Sequence, residues 1–131
     1  MHSFIVSTSS RSELVDITHQ VQRLVADSGI RDGLCQVWVP HTTAGLTVNE
    51  NADPDVTRDL LMGLDTIAPW NAGYAHGEGN SAAHIKSSLM GCEKTLIIEG
   101  GKLALGTWQG LYLCEFDGPR KRQVWVKVVA C

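Results

Sequence analysis

Apolar and polar residues alternate along several short stretches of the chain, and this period of two residues predicts β-strands. The clearest case is the stretch 33–42, in which Cys35, Val37 and Val39 fall on one face before Pro40 ends the pattern. Further strands are predicted at 2–10, 12–18, 46–48, 95–99, 110–116 and 123–130. Predicted strands therefore occur along the whole length of the sequence.

Three stretches carry apolar residues at the three- and four-residue spacing of an amphipathic helix. The first covers 16–30, where Thr18 is a candidate N-cap and Gly29 a candidate left-handed residue at the C-terminal end. The second begins at Asp53, whose carboxylate can accept the free amide hydrogens of the first turn, and ends before Pro69.

The third helix is predicted at 81–91, with Ala82, Ile85 and Leu89 on the side that faces the core. It follows the segment 69–80, which has no hydrophobic period and is rich in glycine, asparagine and aromatic residues. A loop of this length in a compact domain is typically functional or disordered. Together, these elements predict an α+β fold, with one mainly antiparallel sheet and the helices packed to one side.

Length and composition bound the class of protein. The 131 residues, of which 44% are hydrophobic and 19% charged, suit one soluble globular domain that spans 1–131. No apolar run approaches the roughly 20 residues of a membrane span, and no targeting signal is evident, so we expect a cytoplasmic protein without a membrane partner. The net charge of −3 argues against binding to nucleic acid. Four cysteines without a CxxC pair are expected to be reduced thiols.

Three of the five histidines fall in loops or at the ends of elements, at His41, His76 and His84. Zinc and similar cations bind neutral imidazole nitrogens, and a catalytic zinc site combines three protein ligands with one open position. These histidines are therefore candidate ligands of a divalent metal, zinc or magnesium. Their spacing matches no standard metal motif, so the alternative is that they are ordinary polar residues of loops and helix ends.

The segment 77–80, GEGN, and the helix that follows it offer a second kind of site, for an anion. Asn80 or Ser81 can cap the helix, whose first amides and positive dipole end suit a phosphate group. Lys86 lies one turn later, and Arg120 belongs to the basic cluster PRKRQ, whose guanidinium groups match phosphate oxygens. The alternative for the cluster is a solvated turn.

Two carboxylates and an aromatic segment complete the candidates. Glu50 and Asp53 lie between a strand and a helix, where either can act as a general base or help to bind a cation. The role of N-cap would also explain Asp53. Trp108 and Gln109 lie between glycines and can present an aromatic face and an amide to a flat ligand, although a buried tryptophan is the commoner explanation. No GxSxG, P-loop or dinucleotide motif is present.

Three blocks of the sequence together resemble the YjbQ family, which is also described as secondary thiamine-phosphate synthases. They are HTTAGLTVNENADPDVTRDL at 41–60, YAHGEGNSAAHIKSSLMG at 74–91 and GKLALGTWQGLYLCEFDGPRKR at 101–122. The resemblance implies an α+β domain that assembles as a homotrimer, with pockets near the subunit boundaries where histidines and acidic residues gather. It also implies a divalent metal in those pockets.

The activity that this resemblance implies is weak thiamine-phosphate synthesis, in which a pyrimidine methyl diphosphate joins a thiazole phosphate and pyrophosphate is released. The residues that would carry it are His41, His76 and His84 for the metal, Glu50 or Asp53 for its tuning, and Arg120 with the helix start at Asn80 for phosphate. Two alternatives remain, namely non-catalytic binding of a metal or small molecule by a trimer, and metal-dependent hydrolysis of a small phosphate ester.

Overall fold

The computed structural model describes residues 1–131, which form β-strands and α-helices in mixed order. The strands are β1 (His2–Ser7), β2 (Glu13–Asp16), β3 (Gly33–Trp38), β4 (Ala44–Glu50), β5 (Glu93–Glu99), β6 (Lys102–Leu103), β7 (Gln109–Glu115) and β8 (Lys121–Ala130). The helices are α1 (Thr18–Ser28), α2 (Pro54–Ile67) and α3 (Ser81–Met90). No helix combines the length and the hydropathy that a membrane crossing requires.

The strands pair into two antiparallel sheets, one of five strands in the order β1-β8-β3-β5-β6 and one of three strands in the order β2-β7-β4. One face of each sheet and the apolar side of α1 enclose a core of 16 buried residues. The predicted α+β class is confirmed. The prediction of one sheet is wrong, because the strands divide between two layers.

Burial along the strands shows why two layers form. In β3, buried residues alternate with more exposed ones, which is the pattern of a strand with one covered face. In β7, every residue after Gln109 is buried. One face of β7 contacts the central core, and the other face contacts α2 and α3 through Cys114 and the adjoining Phe116. The three-stranded sheet is therefore the middle layer of the molecule.

Of the three capping residues predicted for α1 and α2, two are confirmed. The side chain of Asp53 accepts a hydrogen bond from the amide of Asp55 at 2.9 Å, and Gly29 has the left-handed φ of 70° at the end of α1. Thr18 is not the N-cap of α1, because the helix already includes it. Its hydroxyl instead donates to the carboxylate of Asp16 at 2.6 Å and accepts from the amide of Leu111 at 2.9 Å, which fixes the helix start to β7.

Helix α3 buries a different face from the one predicted. Ala82 is buried as expected, but Ile85 and Leu89 are 38% and 53% exposed. The buried face consists of small or polar side chains that include Ala83 and Ser87. The reason is a close approach of α3 to β4, where a bulky apolar face would not fit and the hydroxyl of Ser87 donates to a strand carbonyl at 2.6 Å.

The four cysteines are free thiols, as their spacing predicts. Cys35 belongs to the central core and Cys114 to the cluster between β7 and the helices. Burial raises the pKa of Cys35 to about 11 and that of Cys114 to about 12. Because the thiolate is the reactive form, these two thiols are inert packing residues.

Candidate functional site

Two adjoining open cavities lie beside the segment that connects β3 to β4. Their volumes are about 470 and 520 Å³, and both are lined by His41 and Thr42. The arginine cavity is lined in addition by Arg120 and Arg122, and the serine cavity by His84 and two serines of α3. A larger open groove of about 670 Å³ lies between β2 and α2, but none of the predicted site residues lines it. His41 thus stands at the boundary between two cavities with different linings.

The strand pairing explains the position of His41. The register of β3 and β8 would place position 40 opposite Gln123, but Pro40 lies beyond the last residue of the strand. The amide of Gln123 donates instead to Nε2 of His41 at 2.8 Å. Burial lowers the pKa of His41, and the nearby charge of Arg122 lowers it further. The ring therefore favours its neutral form, with Nε2 as an acceptor.

The other two predicted histidines contact each other. The rings of His76 and His84 meet edge to face, with centroids 5.5 Å apart and an interplanar angle of 83°. Nε2 of His76 also lies 4.0 Å from a carboxylate oxygen of Glu78. No three side chains among the histidines, cysteines, aspartates and glutamates are arranged as a metal site. The structure thus places His76 against His84, and His84 in a cavity wall with His41.

Asn80 precedes α3 but does not cap it through its side chain. The residue is only 7% exposed, and its Nδ2 donates to a carboxylate oxygen of Asp117 at 2.9 Å. Its Oδ1 is fully enclosed and has no hydrogen-bond partner, which is true of no other buried side-chain nitrogen or oxygen in the protein. A buried acceptor without a partner costs about 1–3 kcal/mol. Asn80 Oδ1 is therefore an acceptor whose hydrogen-bonding capacity the protein leaves unused.

A buried ion pair that sequence analysis missed lies behind the arginine cavity. Arg122 and Glu115 have side chains only 3% and 0% exposed, and Nε of the arginine lies 2.9 and 3.1 Å from the two carboxylate oxygens. Nη2 of Arg122 also donates to the carbonyl and the hydroxyl of Thr43, at 3.1 and 2.8 Å. The signal in the sequence was Glu115 itself, since a charge inside the apolar stretch 110–116 requires a partner.

The balance of forces on Glu115 favours its charged form. Burial alone would raise the pKa of this carboxyl group. The hydrogen bonds that it accepts from Arg122, from the amide of Asp117 and from the hydroxyl of Thr8 outweigh burial, so the pKa lies below its usual value. The pair therefore remains ionised and holds the arginine in one position.

The two predicted phosphate-binding cations have different surroundings. Arg120 lines the arginine cavity, and Asp117 orients it through hydrogen bonds of 2.9 Å to Nε and 3.2 Å to Nη2. Lys86 is buried on α3, and its ammonium group pairs with the carboxylate of Asp65 on α2. Lys86 is thus a structural ion-pair residue that lies in the wall of neither cavity.

The remaining predicted residues lie at the opposite end of the three-stranded sheet. Glu50 pairs with Gln109 at that end, whereas Ala44 pairs with Glu115 near the cavities. Six residue steps along β4 separate the two ends, a distance of about 20 Å. Trp108 is 62% exposed rather than buried, and the side chain of Gln109 accepts from the amide of Gly106 at 2.8 Å.

Asp53 also belongs to this distant end, where it caps α2. Within one chain, the structure therefore does not bring Glu50, Asp53, Trp108 or Gln109 to the histidines and arginines. The predicted site consists of two separate groups, which we call the cavity group and the Glu50 group.

Comparison with known proteins gives consistent matches over almost the whole chain. A family described as UPF0047 protein YjbQ-like matches residues 2–131. A UPF0047 protein of Methanocaldococcus jannaschii is 50% identical, in a match that covers 98% of this chain and 94% of the relative. The UPF0047 protein YugU of Bacillus subtilis is 49% identical, with 95% of each chain covered.

Solved structures match the fold equally well. An uncharacterized YjbQ/UPF0047 protein from Clostridium acetobutylicum is 55% identical, with a TM-score of 0.97 and coverage of 98% of this chain and 100% of that chain. A conserved hypothetical protein from Thermus thermophilus is 45% identical, with a TM-score of 0.92 and the same coverage. The two-sheet architecture is therefore shared with these proteins.

Proposed function

Because the chain belongs to the UPF0047 (YjbQ-like) family, we propose that it binds two small phosphorylated molecules in the arginine and serine cavities and joins them as a thiamine-phosphate synthase. The observation that carries this proposal is the pair of cavities that meet at His41. Two substrates that react with each other must occupy neighbouring positions, and cavities with a common wall meet that requirement.

The lining of the arginine cavity favours the diphosphate of the pyrimidine substrate. Arg120 and Arg122 both line it, and no carboxylate does. A planar guanidinium matches phosphate oxygens with paired hydrogen bonds, and both arginines are held in position by carboxylates outside the wall. The serine cavity, with hydroxyl groups and His84, suits the thiazole phosphate.

In the proposed reaction, the thiazole ring nitrogen forms a bond to the methylene carbon of the pyrimidine, and the bond from that carbon to the diphosphate oxygen breaks. The electron pair of the broken bond leaves with pyrophosphate. Arg120 and Arg122 would stabilise the negative charge that develops on the leaving group. A divalent cation, when bound beside the serine cavity, would supply further positive charge close to the reacting phosphate groups.

His76 and His84 are the residues that would hold such a cation. Their rings are in contact, and imidazole nitrogens are common ligands of zinc. Asn80 lies between them in the sequence and has the one enclosed side-chain oxygen without a partner, and an amide oxygen is a type of ligand that divalent cations bind. The donor set near His84 is thus compatible with a metal.

The Glu50 group can reach this site only from another subunit, because about 20 Å of sheet separates the two groups in one chain. We therefore include in the proposal a homotrimer in which the cavity group of one subunit meets the Glu50 group of its neighbour. Glu50 would then act as a general base or tune the metal, while Trp108 and Gln109 would contact the flat pyrimidine ring.

An exposed apolar surface supports this assembly. The outer face of the five-stranded sheet carries large hydrophobic side chains, which we call the apolar sheet face: Ile5, Leu34, Trp38, Ile97 and Val129. Exposed apolar patches of this kind mark protein interfaces. Trp38 also lines the arginine cavity, so a second subunit on this face would lie directly beside the site.

The proposal is tested by turnover of the pyrimidine methyl diphosphate and the thiazole phosphate, with and without added magnesium. Arg120→Gln is expected to lower kcat/KM by about 10- to 100-fold, since it removes a charge-assisted contact to the leaving group. Arg23→Gln, at an exposed position of α1 outside both cavities, is the matched control and should leave the rate unchanged. If product forms no faster with the unaltered protein than without it, the synthase activity is refuted and the chain is a binding protein.

The metal has its own test, made on protein purified without a chelator. His76→Ala and His84→Ala are each expected to reduce the bound metal to less than about a tenth. His19→Ala, on α1, serves as the control. Equal metal content in all the variants would remove the metal from the proposal but would leave the arginine cavity as a phosphate site.

A further inference from the structure

His41 differs from the other two histidines, because a protein contact already uses one of its ring nitrogens. Its Nε2 accepts the amide hydrogen of Gln123 at 2.8 Å, so this nitrogen carries no proton. A neutral imidazole carries its single proton on the other nitrogen. Nδ1 of His41 is therefore a donor, and the ring can ligate a metal only if it gives up the bond to Gln123.

Arg122 also has one unused donor group. Its hydrogen bonds to Glu115 and Thr43 are all made through Nε and Nη2. Nη1 makes none, although the side chain is only 3% exposed and lines the arginine cavity together with His41. Nη1 is not fully enclosed, and it belongs to a side chain of the cavity wall, so it is free to bind a ligand there.

We propose that Nδ1–H of His41 and Nη1–H of Arg122 form a paired-donor site for a phosphate oxygen, in which His41 acts as a neutral hydrogen-bond donor and not as a metal ligand. This inference rests on the proposed function for the identity of the cavity as the substrate site. Beyond the proposed function, it specifies which two nitrogens donate to the phosphate oxygen, and it excludes His41 as a metal ligand.

The surroundings favour an oxyanion over a cation or a neutral group. The polar side chains in the cavity wall are His41, two threonines and two arginines, with no carboxylate among them. Glu115 fixes Arg122 from behind, and the Gln123 amide fixes His41, so both donors are held before a ligand arrives. Donors fixed in this way bind an anion without further loss of side-chain freedom.

The first test measures pyrophosphate binding by titration calorimetry on chelator-treated protein. We expect the unaltered protein to bind pyrophosphate without metal. Binding should be at least about tenfold weaker in His41→Ala and in Arg122→Lys. The lysine keeps the positive charge beside Glu115 but lacks Nη1. His19→Ala, a histidine on α1 outside the arginine cavity, is the matched control and should bind within about twofold of the unaltered protein. Equal affinity in the His41 variant, or binding that needs metal and His76, would overturn the inference.

The second test needs no variant and holds even if Arg122→Lys fails to fold. A long-range proton–nitrogen NMR spectrum of the ¹⁵N-labelled protein reports which ring nitrogen of His41 is protonated. We expect the proton on Nδ1 and a shift of its resonance when pyrophosphate is added. A proton on Nε2, or no shift at saturating pyrophosphate, would contradict the paired-donor site. Neither test depends on turnover, so a failed synthase assay would leave this result intact.

Discussion

At the scale of single residues, the buried pair Arg122–Glu115 supports the wall of the arginine cavity from behind. Removing one partner of a buried ion pair leaves an uncompensated charge, which costs about 3–5 kcal/mol. The carboxylate accepts bonds from the arginine, from a backbone amide and from the hydroxyl of Thr8, and the arginine in turn contacts Thr43. The geometry of the cavity therefore depends on the charge of one carboxyl group.

We expect Glu115→Gln to lower the free energy of unfolding by about 3 kcal/mol at pH 7. In the folded protein, the pKa of Glu115 lies below the ordinary value of 4.5. The stability that the ionised carboxylate contributes is therefore complete above about pH 4.5 and is lost as pH falls below that value. Urea unfolding of both proteins at several pH values measures this. The difference between them should shrink on acidification, and a difference that is constant down to pH 3 would contradict the assignment.

Only some of the site residues were predictable from the sequence, and the reason is physical. His41, His84 and Arg120 lie in the cavity walls as local features of the chain suggested. The ion pair of Arg122 was missed because only the folded turn before β8 brings its charge to Glu115 on β7. The burial of Lys86 against Asp65 was missed for the same reason, since its partner lies 21 residues away.

At the scale of elements, the contact of α3 with β4 positions His84. The alternation in 33–38 and the caps at Gly29 and Asp53 were predictable because they are local. The buried face of α3 was not predictable, because it depends on how closely β4 approaches the helix. A Cβ atom built on Gly45 would lie 2.9 Å from both the carbonyl oxygen of Gly91 and the Cβ of Met90.

We expect Gly45→Ala to destabilise the protein by about 1–3 kcal/mol, because the added methyl group has no space between β4 and the end of α3. Gly63→Ala is the matched control, since Gly63 lies in the interior of α2 and an added Cβ would meet no atom within 4 Å beyond the backbone of its own helix. That substitution should stabilise the helix by about 0.5–1 kcal/mol. Thermal unfolding compares the two, and a stable Gly45 variant would show that α3 can move.

At the scale of the whole molecule, the division into two sheets decides where the candidate residues lie. The sequence pattern predicted the strands but not which sheet each strand joins, because period-two alternation does not indicate which strands pair. The antiparallel pairing of β4 with β7 then places Glu50 and the cavities at opposite ends. One subunit therefore contains both halves of the proposed site without joining them.

The apolar sheet face is the proposed contact between subunits. Trp38, 41% exposed on this face, should lose its contact when replaced by a charge, so Trp38→Lys is expected to shift a trimer to monomers in sedimentation equilibrium. Met62→Lys is the control, because Met62 is 64% exposed on α2 and lies outside this face. A trimer that persists in the Trp38 variant would exclude the apolar sheet face as the interface.

The central claim is that a working site combines the cavity group of one subunit with the Glu50 group of the next. Co-expression of Arg120→Gln and Glu50→Gln chains in equal amounts measures it through thiamine-phosphate formation by the mixed trimers. Random mixing gives both intact halves at about a quarter of the interfaces in a ring of three. We expect about a quarter of the turnover of the unaltered protein, whereas turnover no higher than the mean of the two separate variants would contradict the claim.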